Sequence, residues 1–496
     1  MTTAETGLFV PHERANNNIR SLLIYGFIFS AFALLSVFHT AGEPFGALSL
    51  LPVSFTIAAA IATRRALEPL LAGVIAGILL LGPASLFTQL GSISTTALSN
   101  KTIVWIILVC GMMSGIIVML ERGGSILSFG DFLTGRIKTK RRSLLTTSVL
   151  GILVFIDDYL NALAVSSSMK STTDRFGVSR EKLSFIVDST AVPVCILVPI
   201  STWAVFFTAL LEENKVAAKG EGIFLYIESI PYMFYGWTAL LLVWLVAMGY
   251  LKDLGGMKKA ELRAQAGQPI PDGAPKGGFD TSNIINKSST LMGLLNFFLP
   301  MSVLVAATVY YDIDLLLGSL VASIFTMVFY MAQKLMSFNQ LVESMLDGFK
   351  LMLLPFAIVT AGYMLKDVND LLGMTPYVMD SVIPYLNKGL FAAVIFVVMA
   401  AIVFATSSAW GMFVISLPIV VPLAEGVGAS MPLVIGALMS ASAFGSHACF
   451  YGVSTLLSAQ GSECTTMQHA LTQLPYALLA GAISIILLVV AGYALP

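Results

Sequence analysis

The sequence predicts an all-α polytopic membrane protein. Two properties point there first: 57% of its 496 residues are hydrophobic and only 11% are charged. Soluble domains carry about 25% charged residues. A mean hydropathy of +0.87 and recurring apolar runs of membrane-crossing length complete the case. The net charge of −1 and the lack of a basic patch exclude a nucleic-acid partner. No polar stretch is long enough for a soluble domain of useful size. Cys110, Cys195, Cys449 and Cys464 lie in or beside apolar segments, without CxxC or metal-ligand spacing, and read as small packing residues.

The chain is polar up to Asn18, then apolar to Phe38. That run exceeds a signal-peptide core, and no small-residue cleavage site follows. We therefore expect a cytoplasmic N-terminal tail over 1–19 and an extra, retained helix over 20–38. Apolar runs predict further helices over 47–62, 66–82, 102–120, 183–211 and 223–250. A polar, Gly-, Pro- and Lys-containing linker over 251–290 follows. Beyond it, helices are expected over 291–310, 313–333, 348–365, 428–460 and 469–494. Two stretches, 143–169 and 390–424, are apolar but interrupted.

The halves on either side of the linker, 20–250 and 291–496, repeat one another. Leu70-Leu71-Ala72-Gly73-Val74 resembles Leu315-Leu316-Leu317-Gly318-Ser319. Ile230-Pro231-Tyr232 resembles Leu474-Pro475-Tyr476. Phe155 opens the break at Asp157-Asp158, and Phe404 the break at Thr406-Ser407-Ser408. The shared order and near-constant offset indicate an internal duplication, with repeat one over 47–250.

Basic residues set the orientation. The clusters Arg136 to Arg142 and Lys170 to Lys182 must share one side with the linker. The segment 143–169 then enters and leaves on one face, as a re-entrant hairpin with Asp157-Asp158 near its tip. All but five of the 27 Lys and Arg fall on the cytoplasmic side, the exceptions being Lys101, Lys215, Lys219, Lys366 and Lys388. The halves become inverted repeats of about five helices each plus a hairpin (143–169 and 390–424). Eleven crossings are expected, with the N-terminus inside. This is the architecture in which broken elements meet near the midplane, and the charge pattern suits a bacterial inner membrane.

Four segments could carry chemistry. Carboxylates at membrane depth are costly and face a partner, an ion or water. Asp157 and Asp158, with Asn161, form the first candidate site, for Na⁺ or a shared proton. The plainer alternative is that one Asp caps a half-helix and the other faces lipid headgroups. In the second segment, Pro193 and Pro199 predict helix breaks. Asp188, Ser189 and Thr190 would line the first of them, Asp188 as a further Na⁺ ligand. The third segment, Thr406, Ser407 and Ser408, offers hydroxyls but no acid; close helix packing explains it equally well. The fourth holds Ser446, His447, Ser454 and Thr455. His447 reads either as a hydrogen-bonded core residue or as a group that titrates near neutrality. Half one thus supplies the deep acids, half two the hydroxyls and a histidine.

The run from Phe155 to Asn161, with Asp188-Ser189-Thr190, Pro193 and Pro199 to Trp203, resembles the NhaC-type sodium/proton antiporter family. Gly445-Ser446-His447 and Gly452 to Thr455 fit the same family. The resemblance covers nearly the whole chain. It implies an ion-transporter fold with two inverted repeats and paired hairpins, driven by Na⁺ or H⁺. Some members of that family resemble malate/lactate exchangers and others amino-acid carriers.

The leading expectation is a sodium/proton antiporter in which Asp157, Asp158 and Asp188 bind Na⁺ and protons alternately. The alternative is a sodium- or proton-coupled carrier of an amino acid or small organic acid, with half two holding the organic part. An intramembrane enzyme is not expected, because GxGD and HExxH motifs are absent. No cofactor is expected beyond Na⁺ and H⁺ themselves. The expected partners are these ions, the bilayer and, on the alternative, an organic solute; a homodimer is compatible with the sequence.

Overall fold

The computed structural model describes residues 11–39, 43–63, 65, 67–125, 137–274, 290–311, 314–382, 386–406, 409–450 and 452–495. Helices, with no strands, make up these residues. Half one contains α1 (Pro11–Phe38), α2 (Leu51–Thr63), α3 (Leu67–Leu81), α4 (Leu86–Leu98) and α5 (Lys101–Arg122). It continues with α6 (Lys140–Leu153), α7 (Asp158–Arg175), α8 (Arg180–Leu197), α9 (Thr202–Glu213), α10 (Gly222–Ser229) and α11 (Phe234–Met248). The linker carries α12 (Gly255–Gln265). Half two contains α13 (Thr290–Tyr310), α14 (Leu315–Ala332), α15 (Phe338–Leu351), α16 (Leu353–Leu371) and α17 (Met374–Val382). It ends with α18 (Lys388–Thr406), α19 (Ala409–Gly426), α20 (Met431–Ala448), α21 (Val453–Ser462) and α22 (Thr466–Ala494).

Among the described residues, eight helices are long and apolar enough to cross a membrane, or nine if the pair bent by 49° at Met233 is one span. Four shorter apolar helices accompany them. The protein is an integral membrane protein.

The structure revises several expected boundaries. Helix α1 begins at Pro11, so 11–19 are helical rather than a separate tail; residues 1–10 lie outside the described residues. The runs 183–211 and 428–460 are each two helices, the first broken at 198–201 and the second after Ala448. Helices α4 and α15 went unread because their apolar residues are diluted by hydroxyls in one and by polar residues in the other. The linker is partly helical, over α12, while 275–289 lie outside the described residues.

The segment 143–169 folds as a helix–break–helix, α6 and α7. Lys140 Nζ donates to Gly177 O at 3.3 Å, so the segment's two ends lie side by side. Helix α6, at 14 residues, is about 21 Å long, short of the ~30 Å hydrocarbon core.

Charge separates the two faces. Around the base of α6 and α7, Glu261 accepts from Lys140 (2.6 Å), Lys182 (3.3 Å) and the Ser179 backbone N–H (2.8 Å). Burial alone would raise the pKa of Glu261; Lys182, Lys140 and the Ser179 N–H outweigh it and hold the carboxyl below the usual range. Arg263 grips Glu181 with both terminal nitrogens, at 3.0 and 2.7 Å. Helix α12 is thereby fastened across the starts of α6 and α8. At the far end of the α8–α9 span, Asn100 donates to Glu213 at 2.9 Å. Lys101 and Lys219 line one cleft there, and Lys215 and Lys366 another. Four of the five lysines singled out by the orientation count therefore cluster on the face opposite α12. Between the halves, α5 meets α15 so closely that a Cβ on Gly348 would collide with the Gly115 backbone. Arg122 pairs with Asp347 beside that contact, at 2.5 Å.

Candidate functional site

Helix interruptions from both halves meet at one cavity. The hairpin tip is tied to the α8–α9 break: Thr202 N donates to Ile156 O at 3.0 Å, and Cys195 Sγ to Phe155 O at 3.1 Å. Ser201 starts α9, accepting from Ala204 N and donating to Cys195 O at 2.6 Å. Such a cap satisfies an N–H left over at a helix start.

The two tip acids have different duties. Asp157 caps α7: Oδ1 accepts from Tyr159 N at 3.0 Å, and its carbonyl accepts the helix's first bond from Asn161 N. Asp158 instead faces inward. Its Oδ1 accepts from Trp203 Nε1 at 3.0 Å. It lines a cavity of about 30 Å³ with Tyr159, Trp203, Ala409, Trp410, Ser446, Gly452, Val453 and Ser454. That space suits a water or a monovalent cation. Of the plainer alternative, one acid does cap the half-helix, but the other faces no headgroups, because both acids are buried.

Four helices begin at this cavity: α7 at Asp158, α9 at Thr202, α19 at Ala409 and α21 at Val453. Helix N-termini carry partial positive charge, which lowers the cost of the Asp158 carboxylate.

Asp188, fully buried, sits one cluster away. It accepts from Ser454 Oγ (2.6 Å), Thr455 Oγ1 (3.4 Å), His469 Nε2 (3.1 Å) and Gln473 Nε2 (2.7 Å). Every one of these donors comes from half two. Ser454 belongs to both places, lining the Asp158 cavity and bonding Asp188. His447 has both ring nitrogens engaged, with Ser189 Oγ at 2.9 Å and Tyr235 Oη at 2.6 Å. Gln473 also donates to the His447 carbonyl at 2.5 Å.

Several expected site residues do other work. Asn161 Nδ2 donates to three carbonyls, Gly151 (2.6 Å), Thr190 (3.0 Å) and Val154 (3.2 Å), bracing the hairpin against α8. Thr190 spends its hydroxyl on Ile186 O and Val187 O within α8, against Gly151. Pro193 does not break α8, which continues to Leu197; its missing N–H is absorbed within the helix. The break forms around Pro199 instead, so Asp188 and Ser189 face half two and Thr190 faces the hairpin, rather than a break of their own helix. Thr406 lines a separate, apolar cavity with Met412 and Ile415, not the Asp158 cavity. Ser407 and Ser408 lie outside the described residues.

Sequence reasoning missed Trp203, Trp410, His469 and Gln473. Two of them carried a readable signal. Thr465 and Gln468 form a capping box, which starts α22 at Thr466 and puts His469 and Gln473 on one face, four residues apart.

An aromatic layer closes the cavity towards the face opposite α12. Trp203 meets Trp410 at 5.4 Å, Phe206 meets Trp410 at 4.3 Å, and Phe207 meets Phe413 at 4.7 Å. Further along α9 and α19 opens a vestibule of about 250 Å³ with Glu213, Lys215, Lys366, Asp370 and Glu425.

Residues 194–493 match the model of the Na⁺/H⁺ antiporter family. An uncharacterized protein of Haemophilus influenzae is 27% identical over 489 residues, covering 90% of this chain and 91% of that protein. The structure is similar to the Alcanivorax borkumensis YdaH transporter, with a TM-score of 0.54 and 14% identity, over 84% of this chain and 91% of that one. It is also similar to Neisseria gonorrhoeae MtrF, described within a class of antimetabolite efflux pumps, with a TM-score of 0.53 and 12% identity, over 82% and 84%. At these identities the two solved structures share the fold alone.

Proposed function

The chain belongs to the Na⁺/H⁺ antiporter family, and from there we propose that it exchanges Na⁺ for H⁺ by alternating access. It is a transporter. The finer reading rests on one observation: a buried carboxylate, Asp158, opens into a cavity of ion size where helix interruptions from both halves meet. Asp158 is the principal cation ligand in this reading. Asp157 adds negative charge next to it, and Asp188 is joined to the same cavity through Ser454. Sodium and protons compete for these carboxylates, so loading one ion releases the other. The two halves supply the moving parts as inverted repeats, with the α12 face cytoplasmic and the N-terminus inside a bacterial inner membrane.

One observation favours a second reading, a coupled carrier of a small carboxylate-bearing solute. Four helix N-termini point at the cavity, an arrangement that suits an anionic group. In the conformation described, the space is of a size for an ion rather than an organic molecule, which supports the antiporter reading over the carrier.

The deciding experiment uses purified protein in proteoliposomes with a trapped pH dye. Proton movement on a Na⁺ pulse alone, lost in Asp158→Asn, supports the antiporter. Silence until an amino acid or organic acid is added rejects it for the coupled carrier.

A further inference from the structure

Helices α8 and α21 run antiparallel, and their facing residues form a ladder. At one end Ser454 Oγ bonds Asp188 Oδ1 at 2.6 Å. At the other, Arg180 Nη1 donates to Ser462 O at 2.9 Å. Ser454, Ser458 and Ser462 are four residues apart on α21, hence on one face. Asp188, Ser184 and Arg180 hold the same spacing on α8. Ser458 therefore lies at the level of Ser184, midway between the buried acid and the charged face.

Ser458 and Ser462 are fully buried, and their hydroxyl oxygens have no hydrogen-bond partner among the described residues. The same holds, next to Asp188, for His469 Nδ1 and Gln473 Oε1, whose other ring or amide nitrogens are anchored on Asp188 itself. Buried polar atoms without protein partners are ordinarily satisfied by water or an ion. The orphan hydroxyls of Ser458 and Ser462 on α21, with the orphan atoms of His469 and Gln473 beside Asp188, are groups that a line of water or ions would satisfy. The line reaches the α12 face at an ion cluster. There, Lys170 holds Glu463 at 2.6 Å, and Arg180 bridges Asp174 at 2.7 Å and Glu463 at 3.4 Å.

We infer that the seam between α8 and α21, from Ser454 through Ser458 to Ser462, is the route by which the exchanged monovalent cation passes between the buried acids and the α12 face. The Lys170–Glu463–Arg180 cluster is its mouth. This rests on the transport reading above, but it concerns the path and not the identity of the ion.

The test places Ser458→Cys in a background without the four native cysteines, after confirming that this background transports. A small cationic thiol reagent added at the α12 face should modify the introduced thiol and block transport, and the same reagent at the opposite face should not. In otherwise wild-type protein, Ser458→Val should cut the maximal rate by roughly tenfold, because two methyls de-wet a narrow polar passage. The Na⁺ half-saturation should stay within about twofold, since the ligands are untouched. An introduced thiol that is inert from the α12 face, or reactive only from the other, overturns the route; so does Ser458→Val at the wild-type rate in folded protein. A reactive thiol in the Ser458→Cys variant alongside full Na⁺-driven exchange in Asp158→Asn would instead sink the site and leave the route standing.

Discussion

Asp158 and Asp188 are both buried acids within a transporter interior, yet they are held in opposite ways. Asp188 takes four side-chain donors, every one from the other half of the molecule. Among the described residues Asp158 takes one side-chain donor, the Trp203 indole, and it lines a cavity. A carboxylate has about four lone-pair sites. At Asp188 they are spent on side chains of the other half; at Asp158 the carboxylate borders a cavity that a ligand can enter. A buried acid can thus be a fixed joint between moving parts or a binding group, and the donors it already has tell which. Ser454 joins the two, so a change at the cavity is felt at the joint.

The largest expected effect tests this division directly. Asp158→Asn should abolish ion-coupled transport while leaving the thermal unfolding of the detergent-solubilised protein almost unchanged. The cavity tolerates a neutral isostere, and the amide oxygen still accepts from Trp203. Wild-type exchange rates would break the comparison at its first term. Asp188→Asn should lose transport too, but with a stability cost of about 3 kcal/mol, because an amide cannot serve four donors and one of them is left buried without an acceptor. Equal melting temperatures for the two variants would mean the joint is no joint.

Next in size is Asn161→Ala. It removes the one side chain that serves the carbonyls of Gly151, Val154 and Thr190. The expected destabilisation is about 1–3 kcal/mol. Transport per folded molecule should hold, because Asn161 faces backbone and not the cavity. A shift in Na⁺ half-saturation without loss of stability would return Asn161 to the ion site.

These contrasts show what the sequence made readable. The fold class and the burial of the acid pair were legible, the first from the hydropathy of the whole chain and the second because Asp157-Asp158 stands out by charge from an apolar background. Partners across the two halves were not. Nothing local links Asp188 to Gln473, 285 positions away, and a single sequence holds no record of which helices meet. Pro193 misled for a different reason. A proline signals a lost hydrogen bond, but α8 is packed on all sides and absorbs the loss. Trp203 was passed over because a tryptophan in an apolar run is usually lipid-facing or core; only the fold shows its indole N–H aimed at Asp158.

Trp203→Phe sharpens the comparison more gently. The ring is kept and the donor is lost. The Na⁺ half-saturation should change a few-fold, as one charge-assisted bond of about 1.5–3 kcal/mol is redistributed between carboxylate, cation and water. An unchanged value would show that the indole packs beside Asp158 without tuning it.

The smallest effect lies at the α12 face, where Glu261 is an acid of the Asp188 kind, fully engaged, but outside the membrane. Lys182 and Lys140 hold its carboxyl below the ordinary value of 4.5, against the opposing effect of burial. A folded-state pKa below the unfolded one adds stability that is complete above the ordinary carboxylate range and disappears as pH falls through the folded value. Glu261→Gln should therefore cost about 1–2 kcal/mol at neutral pH, read as a lower unfolding temperature. The gap to the wild-type protein should close on acidification below the carboxylate range. If the gap stays constant with pH, the ion pairs at Glu261 contribute nothing that protonation can remove, and the helix across the mouth is held by its packing on α22 instead.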